Sequence, residues 1–264
     1  MKLAGTLTLP QGKAKFPAVV LISGSGAQNR DEEIMGHKPF LILADYLTSN
    51  GIAVLRFDDR GTNKSDGNFQ TAITPDFATD VKAAVQYLKT RKEINEKKIG
   101  LAGHSEGGII APMVAVECKD VNFIVLLAVT GISGSEILLR QQVLIGRANG
   151  IKEDDLKKTA ELNSTIYKMI DEIQNTDTLK LKIREYLVVK SKDIPEMKIP
   201  EGSTLNEFID IQINQITNPW MLYFIRYNPA PMLSKVKCPV LAVIGSKDLQ
   251  VPSEVNLRTI ENAL

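Results

Sequence analysis

Histidine is scarce in this chain, whose 264 residues contain two, His37 and His104. Cysteine is equally rare: Cys118 and Cys238 lie far apart in the sequence, and no C-x-x-C pair or Cys/His cluster accompanies them. A structural zinc site needs closely spaced sulfur and nitrogen ligands, so the sequence gives no such site, and no metal or organic cofactor is implied. We therefore expect two free thiols.

Neither sign of charge is in excess, since 32 Lys and Arg residues face 31 Asp and Glu residues and leave a net charge of +1. Nucleic acids and anionic membranes attract strongly basic surfaces, so the charge gives no reason to expect either partner. Long hydrophobic runs are also missing: the run at 123–129 is far shorter than a membrane span, and the N-terminus has no charged-then-apolar leader. The compartment stays open between the cytoplasm and export with a leader not present here.

Short apolar runs that end at glycine or at a turn recur along the chain, with helix-like segments between them. Such runs are typical of strands buried on both faces of a parallel sheet, and the alternation predicts an α/β fold. A first edge strand is expected at Leu3–Leu9, before Pro10. The predicted buried strands are 18–22, 52–57, 99–102, 123–129 and 240–244, and the predicted helices are 40–47, 74–89 with Thr74 as its cap, and one that begins at Ser105.

The strand pattern stops for about 100 residues in the second half of the chain. Within 132–231 the apolar residues follow helical spacing, and Thr204 with Glu207 matches a capping box at the start of one helix. An all-helical insertion between two strands of one sheet is best interpreted as a cap over the site. The sequence thus predicts a discontinuous core at 1–131 and 232–264 and a helical cap at 132–231.

The segment Gly103-His104-Ser105-Glu106-Gly107 follows a predicted strand and opens a predicted helix. This is G-x-S-x-G in the context that its chemistry requires, because a sharp turn there exposes the serine hydroxyl at the end of the strand. The backbone N–H of Glu106 then faces the position of a developing oxyanion. Ser105 is therefore the predicted nucleophile.

Four segments occur in an order that resembles the α/β-hydrolase superfamily: 23–26 (SGSG), 59–61 (DRG), the 103–108 elbow and 245–248 (GSKD). The chain looks closest to serine esterases of the dienelactone-hydrolase and prolyl-peptidase-related branch. In that branch a strand that runs into G-S-G and a later Pro-Val-Leu to Gln-Val-Pro segment are frequent, and residues 238–252 fit this pattern. The resemblance covers most of the chain outside the insertion.

The resemblance implies a role for individual residues. Ser105 would be the nucleophile, and Asp248 would be the acid that orients and stabilises a histidine. Ser25 would donate a second oxyanion N–H beside that of Glu106, with Gly26 as the neighbouring candidate. Arg60 would tie loops together. Substrate-binding residues are not assigned.

The general base of such a triad should follow Asp248, yet no histidine lies there. His104 inside the elbow is predicted to be structural, and His37 resembles a position near the site but outside the triad. Two hypotheses follow: a shortened form of a longer hydrolase, without its last strand and base-bearing loop, or a complete chain that has lost catalysis and binds a partner. Because Ser105 and Asp248 are both retained, we expect the first.

The expected activity is hydrolysis of a small-molecule carboxylic ester through an acyl-enzyme. Peptide hydrolysis and acyl transfer use the same machinery and stay open, as does a catalytically inactive binding protein. The predicted last strand at 240–244 would leave an apolar sheet edge, so self-association through that edge is also expected.

Overall fold

A computed structural model describes residues 1–12, 15–191 and 202–264. The described residues form one six-stranded sheet in the order β1-β3-β2-β4-β5-β6, in which β1 runs antiparallel to β3 and the remaining neighbours are parallel. The strands are β1 Gly5–Thr8, β2 Phe16–Ile22, β3 Ala53–Phe57, β4 Ile94–His104, β5 Val121–Leu127 and β6 Val240–Val243. All six lie at or near the predicted strand positions.

The helices in the described ranges divide between two compact units, Met1–Ile132 with Asn228–Leu264, and Ser133–Tyr227. The first unit holds the sheet with α1 Pro39–Ser49, α2 Thr74–Lys89, α3 Glu106–Glu117, α9 Ala230–Leu233 and α10 Ser253–Ala263. The second holds α4 Gly134–Ala148, α5 Glu153–Glu172, α6 Thr176–Lys190, α7 Leu205–Ile216 and α8 Pro219–Arg226. The cap function that the sequence suggests for 132–231 stays a prediction.

Burial in the sheet unit follows the apolar runs of the sequence. In the middle of β2 and β3 the side chains of both faces are buried, as expected for strands between two helical layers. Phe40 and Ala44 of α1 pack on Val19, Leu21 and Val54 of the sheet. Each large apolar side chain buried in this way contributes about 1.5–3 kcal/mol to folding.

The helical unit has a core of its own. Side chains from four of its helices are almost fully removed from solvent: Ile170, Leu179, Ile183, Ile209 and Ile225. The capping box predicted at the start of α7 is confirmed, because Thr204 Oγ1 accepts the N–H of Glu207 and a carboxylate oxygen of Glu207 accepts the N–H of Thr204 at 2.8 Å. No helix among the described residues is long and apolar enough to cross a membrane.

Two local expectations need correction. Strand β4 begins at Ile94, five residues before the predicted start, because Ile94 pairs with Phe16 and carries the polar residues 95–98 into the strand. Thr74 does not cap α2: Ile73 is the N-cap, and the carboxylate of Asp76 accepts its N–H at 2.9 Å. The Thr74 hydroxyl instead donates to the buried carboxylate of Glu106.

Arg60 joins the turn after β3 to α2, as the sequence suggests. Its guanidinium donates to both carboxylate oxygens of Asp80, at 2.7 and 2.8 Å, and it lies over the ring of Phe77. A bidentate guanidinium–carboxylate pair fixes both partners in one geometry. Arg60 therefore acts in the framework of the sheet unit.

The outer edge of the sheet at β6 presents apolar side chains to solvent. Leu241 and Val243 are 57% and 49% exposed, and β6 hydrogen-bonds to β5 on one side. An open apolar edge is a template for pairing with another chain. We therefore expect the Leu241→Lys, Val243→Lys double variant to weaken self-association about tenfold or more in sedimentation velocity.

The matched control is Ile42→Lys on α1, where the wild-type side chain is equally apolar and 67% exposed. It should leave self-association unchanged. A wild-type chain that sediments as a single monomer, or a control that acts as strongly as the double variant, would contradict the edge prediction.

Candidate active site

Ser105 occupies a sharp turn between the central strand β4 and helix α3. Its backbone has φ 51° and ψ −114°, a conformation that a residue with a side chain rarely adopts. Two backbone hydrogen bonds hold the turn, from Ser105 N–H to Leu127 O at 2.8 Å and from Gly108 N–H to Ser105 O at 2.9 Å. The serine thus lies at the carboxyl end of a central parallel strand, where α/β proteins commonly bind ligands.

The turn is possible because the residues two positions before and after Ser105, Gly103 and Gly107, have no side chains. A Cβ on Gly103 would lie 2.0 Å from the carbonyl oxygen of Gly107, and a Cβ on Gly107 would lie 2.2 Å from the carbonyl oxygen of Ile22. Both clashes are with backbone, which cannot move aside without displacing helix α3 or strand β2. The glycines of the G-x-S-x-G pattern are therefore required by close approach of β4, α3 and β2.

The predicted oxyanion loop, 23–26, follows β2 and lies against the elbow. A Cβ on Gly24 would lie 3.2 Å from the Cβ of Ser105, so the two segments are in contact. The loop is fixed from behind by Asp59, whose carboxylate accepts the Ser23 hydroxyl at 2.9 Å and the N–H of Gln28 at 3.0 Å. The N–H of Ser25 donates to no acceptor within the described residues, which is consistent with the oxyanion role predicted for it.

A carboxylate that the sequence analysis missed lies at the centre of this arrangement. Glu32 is 7% exposed, and its Oε1 accepts the N–H of Gly24 at 2.7 Å. The same oxygen lies 2.7 Å from Nδ1 of His104. Glu32 belongs to an Asp-Glu-Glu run that is typical of a solvated loop, so no signal in the sequence distinguished it.

His104 is held by Glu32, in agreement with the structural role expected for it. The hydrogen bond to Glu32 raises the pKa of the His104 imidazole above its ordinary value of 6.5, and the charges of Glu32 and Asp248 act in the same direction. His37 lies in an exposed turn, where its backbone pairs with Ile34. No hydrogen bond among the described residues joins either imidazole to the Ser105 hydroxyl.

Asp248 follows β6 on a loop in the same unit. Its Oδ1 accepts the backbone N–H groups of Gln250 and Val251, both at 2.9 Å, which fixes the carboxylate on the loop. Its charge acts on the ring of His104, so it lies within electrostatic reach of the elbow. The structure therefore gathers Ser105, Ser25 and Asp248 at one end of the sheet, while their catalytic roles stay predictions.

Two more carboxylates are buried behind the elbow. The side chain of Glu106 accepts the Thr74 hydroxyl at 2.7 Å, so the side chain of the residue after Ser105 faces the protein interior. Burial raises the pKa of Asp59 to about 7, against the hydrogen bonds from Ser23 and Gln28, and the nearby charge of Glu106 adds to the rise. The support behind the oxyanion loop therefore carries a carboxyl group that is costly to ionise.

Known proteins resemble the chain over most of its length. The family model described as X-Pro dipeptidyl-peptidase (S15 family) matches residues 1–261. Esterase EstD of Thermotoga maritima is 28% identical over 249 residues, a match that covers 94% of this chain and 50% of the esterase. The chain thus spans half the length of that relative.

Two solved structures illustrate the similarity in fold. The α/β hydrolase GrgF from Penicillium sp. sh18 superposes with a TM-score of 0.58 at 18% identity, over 98% of this chain and 81% of that one. Est1E from Butyrivibrio proteoclasticus, solved with ferulic acid, gives a TM-score of 0.55 at 20% identity, over 97% and 80% of the two chains. The predicted α/β-hydrolase fold is confirmed.

The raised pKa of Asp59 generates a prediction for stability. Between pH 3.8, its ordinary pKa, and about 7, the folded chain keeps a proton on Asp59 that the unfolded chain has lost. The free energy of unfolding of the wild type should therefore fall, relative to Asp59→Asn, as the pH rises from 4 to 7. The relative change is at most about 4 kcal/mol, measured by urea unfolding at several pH values.

Asp45→Asn is the control, because Asp45 is exposed on α1. Its difference from the wild type should be flat over the same range. A pH-independent difference between the wild type and Asp59→Asn would show that Asp59 ionises normally in the folded chain.

Proposed function

The chain belongs to the X-Pro dipeptidyl-peptidase (S15) family, and on that premise we propose that it hydrolyses a carboxylic ester through an acyl-enzyme on Ser105. The observation that carries the proposal is the strained turn at Ser105, with φ 51°, in contact with the oxyanion loop at Gly24. Backbone strain of this kind costs roughly 1–3 kcal/mol and persists where the surrounding structure enforces it. A structural turn has no need of a serine in that conformation.

The reaction would begin with attack of Ser105 Oγ on the ester carbonyl carbon, while an imidazole base, which no histidine after Asp248 supplies in this sequence, takes the hydroxyl proton. The carbonyl π electrons move to oxygen, and the backbone N–H groups of Glu106 and Ser25 stabilise that oxyanion. The C–O bond to the alcohol then breaks, the alcohol leaves with the proton, and the acyl group remains on Ser105. Water repeats the sequence and releases the carboxylic acid.

Asp248 would supply the negative charge that orients and stabilises a protonated imidazole. Its support is the loop geometry: one carboxylate oxygen is fixed by two backbone N–H groups, and the other oxygen can accept from a ring N–H. We do not propose His104 as the base, because its Nδ1 already faces Glu32 and no hydrogen bond links its ring to Ser105 within the described residues.

An ester is favoured over a peptide because a relative that matches 94% of the chain is an esterase. Cleavage of an X-Pro peptide is the second candidate, and the family match favours it. Both reactions pass through an acyl-enzyme on the same serine, so the two functions are distinguished by comparing the rates on an ester and on a peptide substrate. Acyl transfer to another acceptor uses the same intermediate.

The test measures hydrolysis of p-nitrophenyl butyrate and of Ala-Pro-p-nitroanilide by the full chain. Each assay is run with and without added imidazole, which can act as a base in solution. We expect hydrolysis of the ester, and a fall of about 10³-fold or more in kcat/KM for Ser105→Ala, because the nucleophile is lost. A fluorophosphonate should label the wild type and fail to label Ser105→Ala.

Ser49→Ala is the matched control, since Ser49 is an exposed serine at the end of α1. It should leave hydrolysis and labelling unchanged. Faster cleavage of the anilide than of the ester would favour the peptidase alternative. Equal labelling of Ser105→Ala, or no Ser105-dependent turnover with or without imidazole, would exclude the proposed nucleophile and favour a binding protein.

A further inference from the structure

Glu32 is a buried carboxylate that joins two segments far apart in the sequence. Its Oε1 accepts from Gly24 N–H on the oxyanion loop and faces Nδ1 of His104, the residue before the nucleophile, with both distances at 2.7 Å. Its backbone has φ 51°, and its own N–H donates to Asn29 O at 2.9 Å. The turn at 29–32 thus delivers the carboxylate into the space between loop and elbow.

Gly24 is enclosed by the residues that this carboxylate connects. A Cβ placed on Gly24 would lie 3.2 Å from both His104 Nδ1 and Ser105 Cβ, and 3.4 Å from Glu32 Oε1. The other support of the loop, Asp59, bonds Ser23 and Gln28 and leaves the Gly24 N–H to Glu32. The orientation of the Gly24 amide therefore depends on Glu32.

The orientation of the Gly24 amide constrains that of the next amide. Peptide units are planar and rigid, so successive amides differ by two dihedral angles at the shared Cα. Fixing the Gly24 N–H beside Ser105 limits where the following N–H, that of Ser25, can point. A misplaced oxyanion donor loses most of its effect, since these donors act at 2.7–3.1 Å from the oxyanion.

We propose that Glu32 is a positioning residue for catalysis, which fixes the oxyanion loop to the nucleophile elbow by bonding Gly24 and His104 at once. The inference rests on the proposed function, because the loop has a catalytic effect only if Ser105 attacks a carbonyl. Glu32 touches no reacting atom and acts through Gly24 and Ser25. His104 is its partner and supplies the donor from the elbow side.

The kinetic test compares Glu32→Ala and Glu32→Gln with the wild type on p-nitrophenyl butyrate. In Glu32→Ala we expect kcat to fall about 10- to 100-fold with KM nearly unchanged, because an interaction made in the transition state is lost. Glu32→Gln keeps an acceptor oxygen for both donors and loses the charge, so it should retain clearly more activity. If Glu32→Ala folds poorly, the kcat and KM of Glu32→Gln still test the role of Glu32.

Glu33→Ala is the matched control, because Glu33 is the next carboxylate on the same loop and is partly exposed, with Lys38 as its ion-pair partner. It should leave kcat and KM unchanged. An equal loss in Glu33→Ala, or a rise in KM with kcat intact in Glu32→Ala, would overturn the positioning role in favour of general loop stability or substrate binding.

A second measurement does not depend on activity. Amide hydrogen exchange at Gly24 should be slow in the wild type and in Glu33→Ala, and faster by about tenfold or more in Glu32→Ala. If the wild type shows no Ser105-dependent turnover, the proposed function fails, and the exchange rate alone decides whether Glu32 holds the loop. Unchanged protection of Gly24 in Glu32→Ala overturns the inference in either case, as does lost protection with unchanged kcat.

Discussion

The first turn of α3 lies so close to the end of β2 that no side chain fits between them. A Cβ on Gly107 would come within 2.2 Å of Ile22 O, and the chain can reach this contact only by turning sharply after β4. That turn places Ser105 at φ 51°. The strain is offset by two backbone hydrogen bonds at the elbow and by the buried apolar residues of β4 on its N-terminal side. The position of Ser105, half-buried at the end of β4, is thus a consequence of how one helix packs on one neighbouring strand.

Packing fixes the turn at Ser105, and hydrogen bonds to two buried carboxyl groups fix the loop beside it. The loop after β2 has no regular structure, yet two carboxylates, Glu32 and Asp59, accept N–H and O–H groups along it. Both are removed from solvent, and the raised pKa of Asp59 is the cost of placing a carboxyl group there. If the partners of the loop were exposed, water could replace them as hydrogen-bond acceptors, and the loop could adopt several arrangements. Buried acceptors instead give the loop one arrangement, which a site that stabilises an oxyanion requires.

How far the sequence predicts this molecule depends on the range of the interactions involved. The elbow, the buried strands and the capping box at Thr204 are local patterns, so their positions follow from neighbouring residues. Glu32 gains its role from His104, 72 residues away, and nothing near it in the sequence indicates that contact. The prediction that Thr74 caps its own helix is wrong for the same reason, because its hydroxyl donates to the distant Glu106. Long-range polar contacts are therefore the features of this structure that local sequence patterns do not predict.

The two halves of the candidate site come from different strands, and their relative position is the quantity that catalysis would depend on. Ser105 follows β4 and the oxyanion loop follows β2, so the parallel pairing of these strands sets their separation coarsely. The register between β2 and β4 alone does not fix the exact position of an amide in the loop that follows β2. The hydrogen bonds from Gly24 and His104 to one oxygen of Glu32 supply that finer constraint, because a shift of either segment must lengthen one of them. In the proposed site, the sheet would set where Ser105 and the oxyanion loop lie, and the buried carboxylate of Glu32 would set the direction of the Ser25 N–H.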